Sequence, residues 1–191
     1  MPARLGFRLR NSRSTERAFF RYPLQPCPKV AVVCDTLRVP SGCRHISEHE
    51  QVDLRSVNAE TIAAPAGWIL RSGANGWTPT YPMIVFTGTY HGFLDNAARD
   101  EMWQRFGVPV FEQLLDDQGR VVASECEAHA GLHLDPLFRR SFHQGELMLN
   151  GQPTGIATRE MDGLCGCGAT ETRITDALRF WLPSFSQAFV A

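Results

Sequence analysis

The sequence predicts an α/β fold: a parallel sheet layer with flanking helices, plus a small antiparallel extension that carries a metal site. Three observations point there. Short apolar runs rich in β-branched residues, at 29–34, 83–86 and 108–111, alternate with helical patterns. That order is characteristic of a parallel sheet with crossover connections. After residue 115 the helical patterns stop, and short strands separated by turn residues take over. Finally, the Glu125–His133 stretch and the Cys165-Gly166-Cys167-Gly168 stretch hold three of the six cysteines and two of the six histidines.

With 191 residues the chain is long enough for one domain with a real core. Its 43% hydrophobic and 20% charged content is ordinary for a folded protein. A net charge of −1 gives no field that would gather nucleic acid. No apolar run is long enough to span a bilayer, and the N-terminus has no secretory apolar stretch. A cytoplasmic protein with no membrane or nucleic-acid partner is therefore expected. In that setting cysteines read as reduced thiols or metal ligands, not as a disulfide framework. Lys29 is the only lysine, so any lysine chemistry rests on it alone.

Residues 1–27 form an Arg-rich segment, with Arg4, Arg8, Arg10, Arg13, Arg17 and Arg21 against the single acid Glu16, and they read as peripheral. Pro23, Pro26 and Pro28 then break any helix. Residues 29–34 (Lys-Val-Ala-Val-Val-Cys) predict a buried strand. The following stretch to residue 50 is polar; Cys34, Cys43 and His45 within it make a weak second metal candidate with no recognised spacing. Residues 52–57 and 61–64 are strand candidates, and Pro65 suits the start of a helix through Trp68, Ile69 and Leu70. Residues 72–80 read as a loop and 83–86 as a strand.

The clearest helix starts at Asp95, a good N-cap, and ends at Gly107. Ala98, Met102 and Phe106 form its apolar stripe, which Trp103 is expected to widen. Residues 108–111 predict a strand, 116–119 a polar turn, and 121–123 the next strand. Residues 146–149 predict another strand, Asn150-Gly151 a tight turn, and 156–159 a segment that pairs back. The domain is expected to span 28–178. It is followed by an aromatic tail at 179–191 with Phe180, Trp181, Phe185 and Phe189.

Two thiols one residue apart, as in Cys165 and Cys167, can chelate one cation, and Cys126 with a histidine can close a tetrahedron. Thiolate and imidazole together favour zinc over hard cations. His129 and His133 both qualify from spacing. Buried, inert cysteines are the competing reading, but the segment around Cys165 and Cys167 is poor in other apolar residues.

The pattern Glu125-Cys126, Gly131-Leu132-His133, Gly145-Glu146-Leu147, Cys165-Gly166-Cys167-Gly168 and Arg173-Ile174, in this order, resembles enzymes of the phenylacetate–CoA ligase type, a branch of the AMP-forming adenylating enzymes. The resemblance implies a structural zinc held by Cys126, His133, Cys165 and Cys167, in a fold like part of a ligase N-terminal domain. Upstream, residues 29–33, Ala63-Ala64-Pro65-Ala66-Gly67-Trp68, Ile84-Val85-Phe86-Thr87-Gly88-Thr89 and Gly107-Val108-Pro109-Val110-Phe111-Glu112 extend it over about residues 28–178.

The departures bear on function. No Ser/Thr/Gly-rich phosphate loop is present, and backbone N–H groups in such loops are what cradle phosphates. Where the ligases carry Tyr-Gly-x-Thr-Glu, this chain reads Glu112-Gln113-Leu114-Leu115-Asp116. The ribose-binding Thr-Gly-Asp motif and a mobile C-terminal domain have no counterpart in these 191 residues.

The expectation is a truncated, zinc-binding, ligase-like protein that does not adenylate alone. It would act as an accessory or assembly subunit, or bind a small acyl or aryl group near Trp68, Trp77, Phe86, Tyr90 and His91. A homodimer or hetero-complex is expected to cover the edge of the 29–34 strand. The alternatives are one subunit of a split AMP-forming ligase, or a zinc enzyme using Glu125 or Glu127 as base. No catalytic residue is assigned.

Overall fold

The structure is a computed structural model describing residues 20, 22–72 and 76–179. The expected first strand forms as β1 (Val30–Val33), buried at every position. Successive side chains of a strand point to opposite faces, so full burial requires cover on both sides. Val30 and Val32 lie in one apolar cluster, Ala31 and Val33 in another. β3 (Thr61–Pro65) and β4 (Met83–Thr87) divide in the same way: Ala63, Ile84 and Phe86 join the first cluster, and Ile62, Ala64, Met83 and Val85 the second. Alternation within continuous apolar runs thus builds a two-sided core.

The second face is covered by helices. α1 (Ala66–Ser72) contributes Trp68 and Ile69, and α2 (Asn96–Phe106) contributes Met102 and Phe106. Asp95 caps α2 as expected, accepting from the Ala98 N–H at 2.7 Å, and Gly107 ends it in the left-handed region at φ 68°. Trp103 does not widen the stripe. It is 55% exposed, because one step of about 100° beyond Met102 carries it off the buried face.

All described strands join one eleven-stranded mixed sheet in the order β2-β1-β3-β4-β5-β6-β7-β11-β10-β9-β8. β2 (Arg44–Ile46) through β5 (Val110–Leu115) are parallel. From β6 (Val121–Glu125) onward every pairing is antiparallel, through β7 (Leu132–Leu134), β8 (Arg140–His143), β9 (Glu146–Leu149), β10 (Gln152–Met161) and β11 (Arg173–Arg179). The antiparallel part is therefore half of a continuous sheet, not a small extension. It turns back over the first face: Leu147, Leu149, Ile156 and Ile174 share a cluster with Val30, Ile84 and Phe86. The Thr89 hydroxyl ties the two halves by donating to the Thr154 carbonyl at 3.0 Å.

Three expectations change. Residues 52–57 do not form a strand, and turns run over 54–58: the Asp53 carboxylate accepts from the Arg55 N–H and guanidinium, and Ser56 Oγ donates to the Asp53 carbonyl. Such local side-chain bonds compete with a ladder. The 29–34 strand is not an edge, because β2 pairs along its outer side. That removes the reason given for a partner at that edge. The end of the Arg-rich segment is not peripheral either: Phe20 and Tyr22 are buried, Phe20 packs edge-on against Phe86, and Tyr22 donates to the Pro82 carbonyl at 2.8 Å. Residues 1–19 and the tail aromatics Phe180, Trp181, Phe185 and Phe189 lie outside the described residues. Among the described residues, no helix is long and apolar enough to cross a membrane.

The turn after β4 needs a glycine. Gly88 sits at φ 138°, and a Cβ there would lie 2.3 Å from the Leu115 carbonyl oxygen, which is backbone and cannot step aside. Gly88→Ala is expected to lower stability by about 2–3 kcal/mol, read by denaturant unfolding. Gly145→Ala, where φ is also positive but the space is open, is expected to cost only about 1 kcal/mol. Equal losses would contradict the steric account.

Candidate metal centre and the adjoining cleft

β7 lies between β6 and β11, with His133 in register with Ser124 on one side and Arg173 on the other. The loop leaving β6 and the loop entering β11 are thereby brought to the same strand. The first carries Cys126, the second Cys165 and Cys167. The second loop is a tight knuckle: the Gly168 N–H donates to the Cys165 carbonyl and the Cys165 N–H to the Ala169 carbonyl, both at 2.8 Å. Gly168 takes φ 90°, a conformation that a Cβ would resist. Leu132 and Leu134 are buried, so strand alternation sends His133 to the other face.

Cys126, His133, Cys165 and Cys167 come together as a group whose ligand atoms all lie within 4.8 Å of one another. Cys126 Sγ is 3.6 Å from Cys165 Sγ, and Cys167 Sγ is 3.6 Å from His133 Nε2. Metal–sulfur bonds of about 2.3 Å and metal–nitrogen bonds of about 2.0 Å give tetrahedral edges of about 3.8 and 3.5 Å, so the donor set fits a zinc-sized cation. A disulfide needs sulfurs at about 2.05 Å, and these cysteines are free.

The thiols titrate against each other. Cys126 is pushed up to about 11, chiefly by burial, with Cys165 and Cys167 adding to it. Cys165 is brought down to about 6, chiefly by the Cys167 backbone N–H, with His133 and the other thiols assisting. The cluster thus readily carries a thiolate at Cys165 and resists one at Cys126. A bound cation removes that resistance, because a metal-bound thiol loses its proton.

His129, the competing ligand from spacing, is engaged elsewhere. Its Nδ1 is 3.0 Å from Glu125 Oε1, and its ring stacks on Phe111 with centroids 4.8 Å apart. Glu125 belongs to a buried polar chain. Its Oε2 accepts from the Glu112 backbone N–H at 2.8 Å and from Arg99 Nη2 at 3.0 Å. Arg99 Nη2 also donates to Glu112 Oε2 at 3.1 Å, and the Thr87 hydroxyl donates to Glu112 Oε1 at 2.7 Å. Burial holds the Glu112 carboxyl above its ordinary range, with Thr87 and Arg99 pulling it back. Arg99, Glu112, Glu125 and His129 line a cleft of about 1040 Å³ between α2 and the antiparallel half, with Phe93, Leu94 and Trp103 among its apolar walls. Glu125 is so engaged that it does not stand ready as a base on a metal-bound water, while Glu127 is exposed beside Cys126.

The acyl pocket expected at Trp68, Trp77, Phe86, Tyr90 and His91 does not form. Trp68 and Trp77 are buried in one core cluster, Phe86 in the other across the sheet, and Tyr90 is 74% exposed. Large apolar side chains beside strands were needed for the core. Cys34, Cys43 and His45 do not assemble either: Cys43 packs against the first core cluster, and His45 Nε2 bonds the Cys34 carbonyl at 2.9 Å. Cys34 instead groups with Glu48 and His91. Sequence reasoning missed Arg99 and Glu112 as a buried pair. The available signal was an acid in each of two largely apolar strands, Glu112 within β5 and Glu125 at the end of β6.

No family model matches the sequence, and no curated protein does. Among solved structures, the chain is similar to a 2-hydroxyisobutyryl-CoA ligase crystallised in an open conformation with 2-HIB-AMP and CoA. The TM-score is 0.51 at 10% identity, over 77% of this chain and 44% of that one. The fold is adenylate-forming-ligase-like. This ligase-like chain spans less than half the length of the enzyme it matches, and at this identity the likeness concerns fold alone.

Proposed function

We propose that this chain is a zinc-stabilised, ligase-like protein that serves as an accessory subunit or small-ligand binder and does not adenylate by itself. The observation that carries the reading is the convergence of Cys126, His133, Cys165 and Cys167 on one point from three separate segments. Four protein donors fill a tetrahedron and leave no open position, which suits a structural metal. The residues expected to face a nucleotide supply further support. Glu112 to Leu115 are buried inside β5, and Glu112 is tied to Thr87 and Arg99. A side chain committed in this way does not reach for a phosphate.

The cleft beside α2 is where a small acyl or aryl group would bind. Its apolar walls suit such a group. Arg99 is already paired with two carboxylates, so a ligand there is recognised by apolar contact more than by charge. A homodimer or hetero-complex remains part of this reading.

The test is acid-dependent pyrophosphate release from ATP with a panel of aromatic and aliphatic acids. The expected result is background turnover for this chain alone. Release by the chain alone would overturn the reading. Release only after adding a second protein would replace it with the split-ligase alternative.

A further inference from the structure

The parallel strands run in the order β2-β1-β3-β4-β5. In such sheets the connections diverge between β1 and β3, and ligands bind in the crevice beyond the carboxyl ends of the strands. Three chemistry-bearing side chains meet at that end. Cys34 is the first residue after β1, Glu48 follows β2, and His91 lies in the turn after β4. The geometry points to a second metal site, formed by Cys34, Glu48 and His91, that takes a zinc-class divalent cation. This site is independent of the Cys126 centre and shares no residue with it.

The three ligand atoms lie within 4.8 Å of one another. Cys34 Sγ is 3.9 Å from His91 Nε2, and Glu48 Oε1 is 3.8 Å from His91 Nδ1. The His91 side chain is only 6% exposed, yet its Nδ1 makes no hydrogen bond. Buried polar atoms in folded proteins are paired, so this orphan, which faces the Glu48 carboxylate on a ring whose other nitrogen lies 3.9 Å from the thiol, calls for a partner. A cation between the three supplies it. One thiolate and one carboxylate carry two negative charges, which a divalent ion balances.

The supports fix the donors and leave lone pairs for a cation: Thr36 Oγ1 lies 3.4 Å from Cys34 Sγ, and Glu48 Oε1 takes one long hydrogen bond. His45 Nε2 bonds the Cys34 carbonyl at 2.9 Å, fixing the backbone that presents the thiol. Glu48 N–H donates to Asp35 Oδ1 at 3.2 Å, and the Asp35 N–H donates to Glu48 Oε1 at 3.4 Å, locking the two loops together. The His91 N–H donates to the Gly88 carbonyl at 3.2 Å. Sulfur, nitrogen and oxygen donors together suit zinc or cobalt more than magnesium or calcium. Three protein donors leave one tetrahedral position for water or an exogenous ligand, unlike the four-donor centre.

The test is cobalt(II) titration of the full chain after chelator stripping, followed by thiolate-to-cobalt absorption. The wild-type protein is expected to bind two equivalents. His91→Gln is expected to bind one, with the Cys126-centre absorption retained. Glu48→Gln, a milder change at a partly exposed residue, is expected to weaken the second equivalent by at least about tenfold. Cys165→Ser is expected to lose the other equivalent and keep this one, and azide is expected to shift its remaining absorption. One equivalent in the wild type that survives His91→Gln would overturn this site while leaving the Cys126 centre intact. One equivalent that survives Cys165→Ser but not His91→Gln would support this site and overturn the other. An azide-insensitive spectrum would overturn the open position.

Discussion

Stripping the metal from the Cys126, His133, Cys165 and Cys167 centre is expected to lower the melting temperature by about 10 °C. The estimate follows from linkage: a cation bound at a thousandfold above its Kd contributes about 4 kcal/mol, and each kcal/mol moves the midpoint of a chain this long by about 2–4 °C. The loops that carry the ligands have little core of their own. Cys165 is buried, but Gly166, Cys167 and Gly168 beside it are exposed, and Leu164 is 72% exposed. Without a cation, three thiols and an imidazole are crowded together with weak sulfur contacts of 3.6 Å in place of metal bonds. Cys165→Ser and His133→Ala are therefore expected to release the metal and melt early. His129→Ala keeps it, because His129 is bound to Glu125 and not to the thiols. Thermal unfolding followed by circular dichroism, with metal content measured on each variant, checks all three. Full metal and an unchanged midpoint in Cys165→Ser would contradict the ligand set.

Arg99→Ala is expected to destabilise the fold by about 3 kcal/mol, the low end for breaking a buried ion pair, since 26% of the Arg99 side chain is open to solvent. Gln113 pairs with Ser124, so the next step along the ladder sets Glu112 opposite Glu125. Like charges in that position repel. Arg99 bridges them, and the guanidinium is the only cation recorded against either carboxylate among the described residues, apart from His129 when protonated. The pH dependence has a definite sign. Burial raises the Glu112 carboxyl above its unfolded value, so its contribution is full below the unfolded pKa and is lost as pH rises through the folded one. Arg99 opposes that rise, while Glu125 adds to it. Removing Arg99 lifts the folded value further, and the variant's deficit grows with pH. The melting-temperature gap from wild type should be larger at pH 8 than at pH 5. Adding Glu112→Gln should recover part of it, because the amide oxygen still accepts from Thr87. A gap independent of pH would contradict the bridging role.

The sequence was most readable where local chemistry decides structure. Asp95 and Gly107 bound α2 because a carboxylate cap and a left-handed glycine act within one turn. β1 and β4 were readable as apolar runs because both of their faces are buried. β2 was not: Arg44 and His45 are exposed, and the segment is a strand only because β1 offers it a backbone edge. β8 was missed for the same reason, with three exposed positions of four. β10 runs for ten residues through Pro153 and Gly155, where local signals favour a break, and register shifts accommodate them.

The site divides along the same line. Cys126, Cys165 and Cys167 were legible because thiols are rare and their spacing carries meaning. The choice between His129 and His133 was not, since it depends on the pairing of β7. Arg99 lies outside the apolar stripe of α2 and shows its role only when β5 and β6 place two acids beneath it. Cys34, Glu48 and His91 come from three segments without any motif spacing, so only the parallel sheet brings them together.

The measurement that most directly tests the proposed zinc centre is X-ray absorption at the zinc edge, made on the His91→Gln protein so that this centre is seen alone. The account predicts one zinc per chain, with three sulfurs at about 2.3 Å and one nitrogen at about 2.0 Å. A shell dominated by oxygen and nitrogen, or a purified chain without stoichiometric metal, would contradict it.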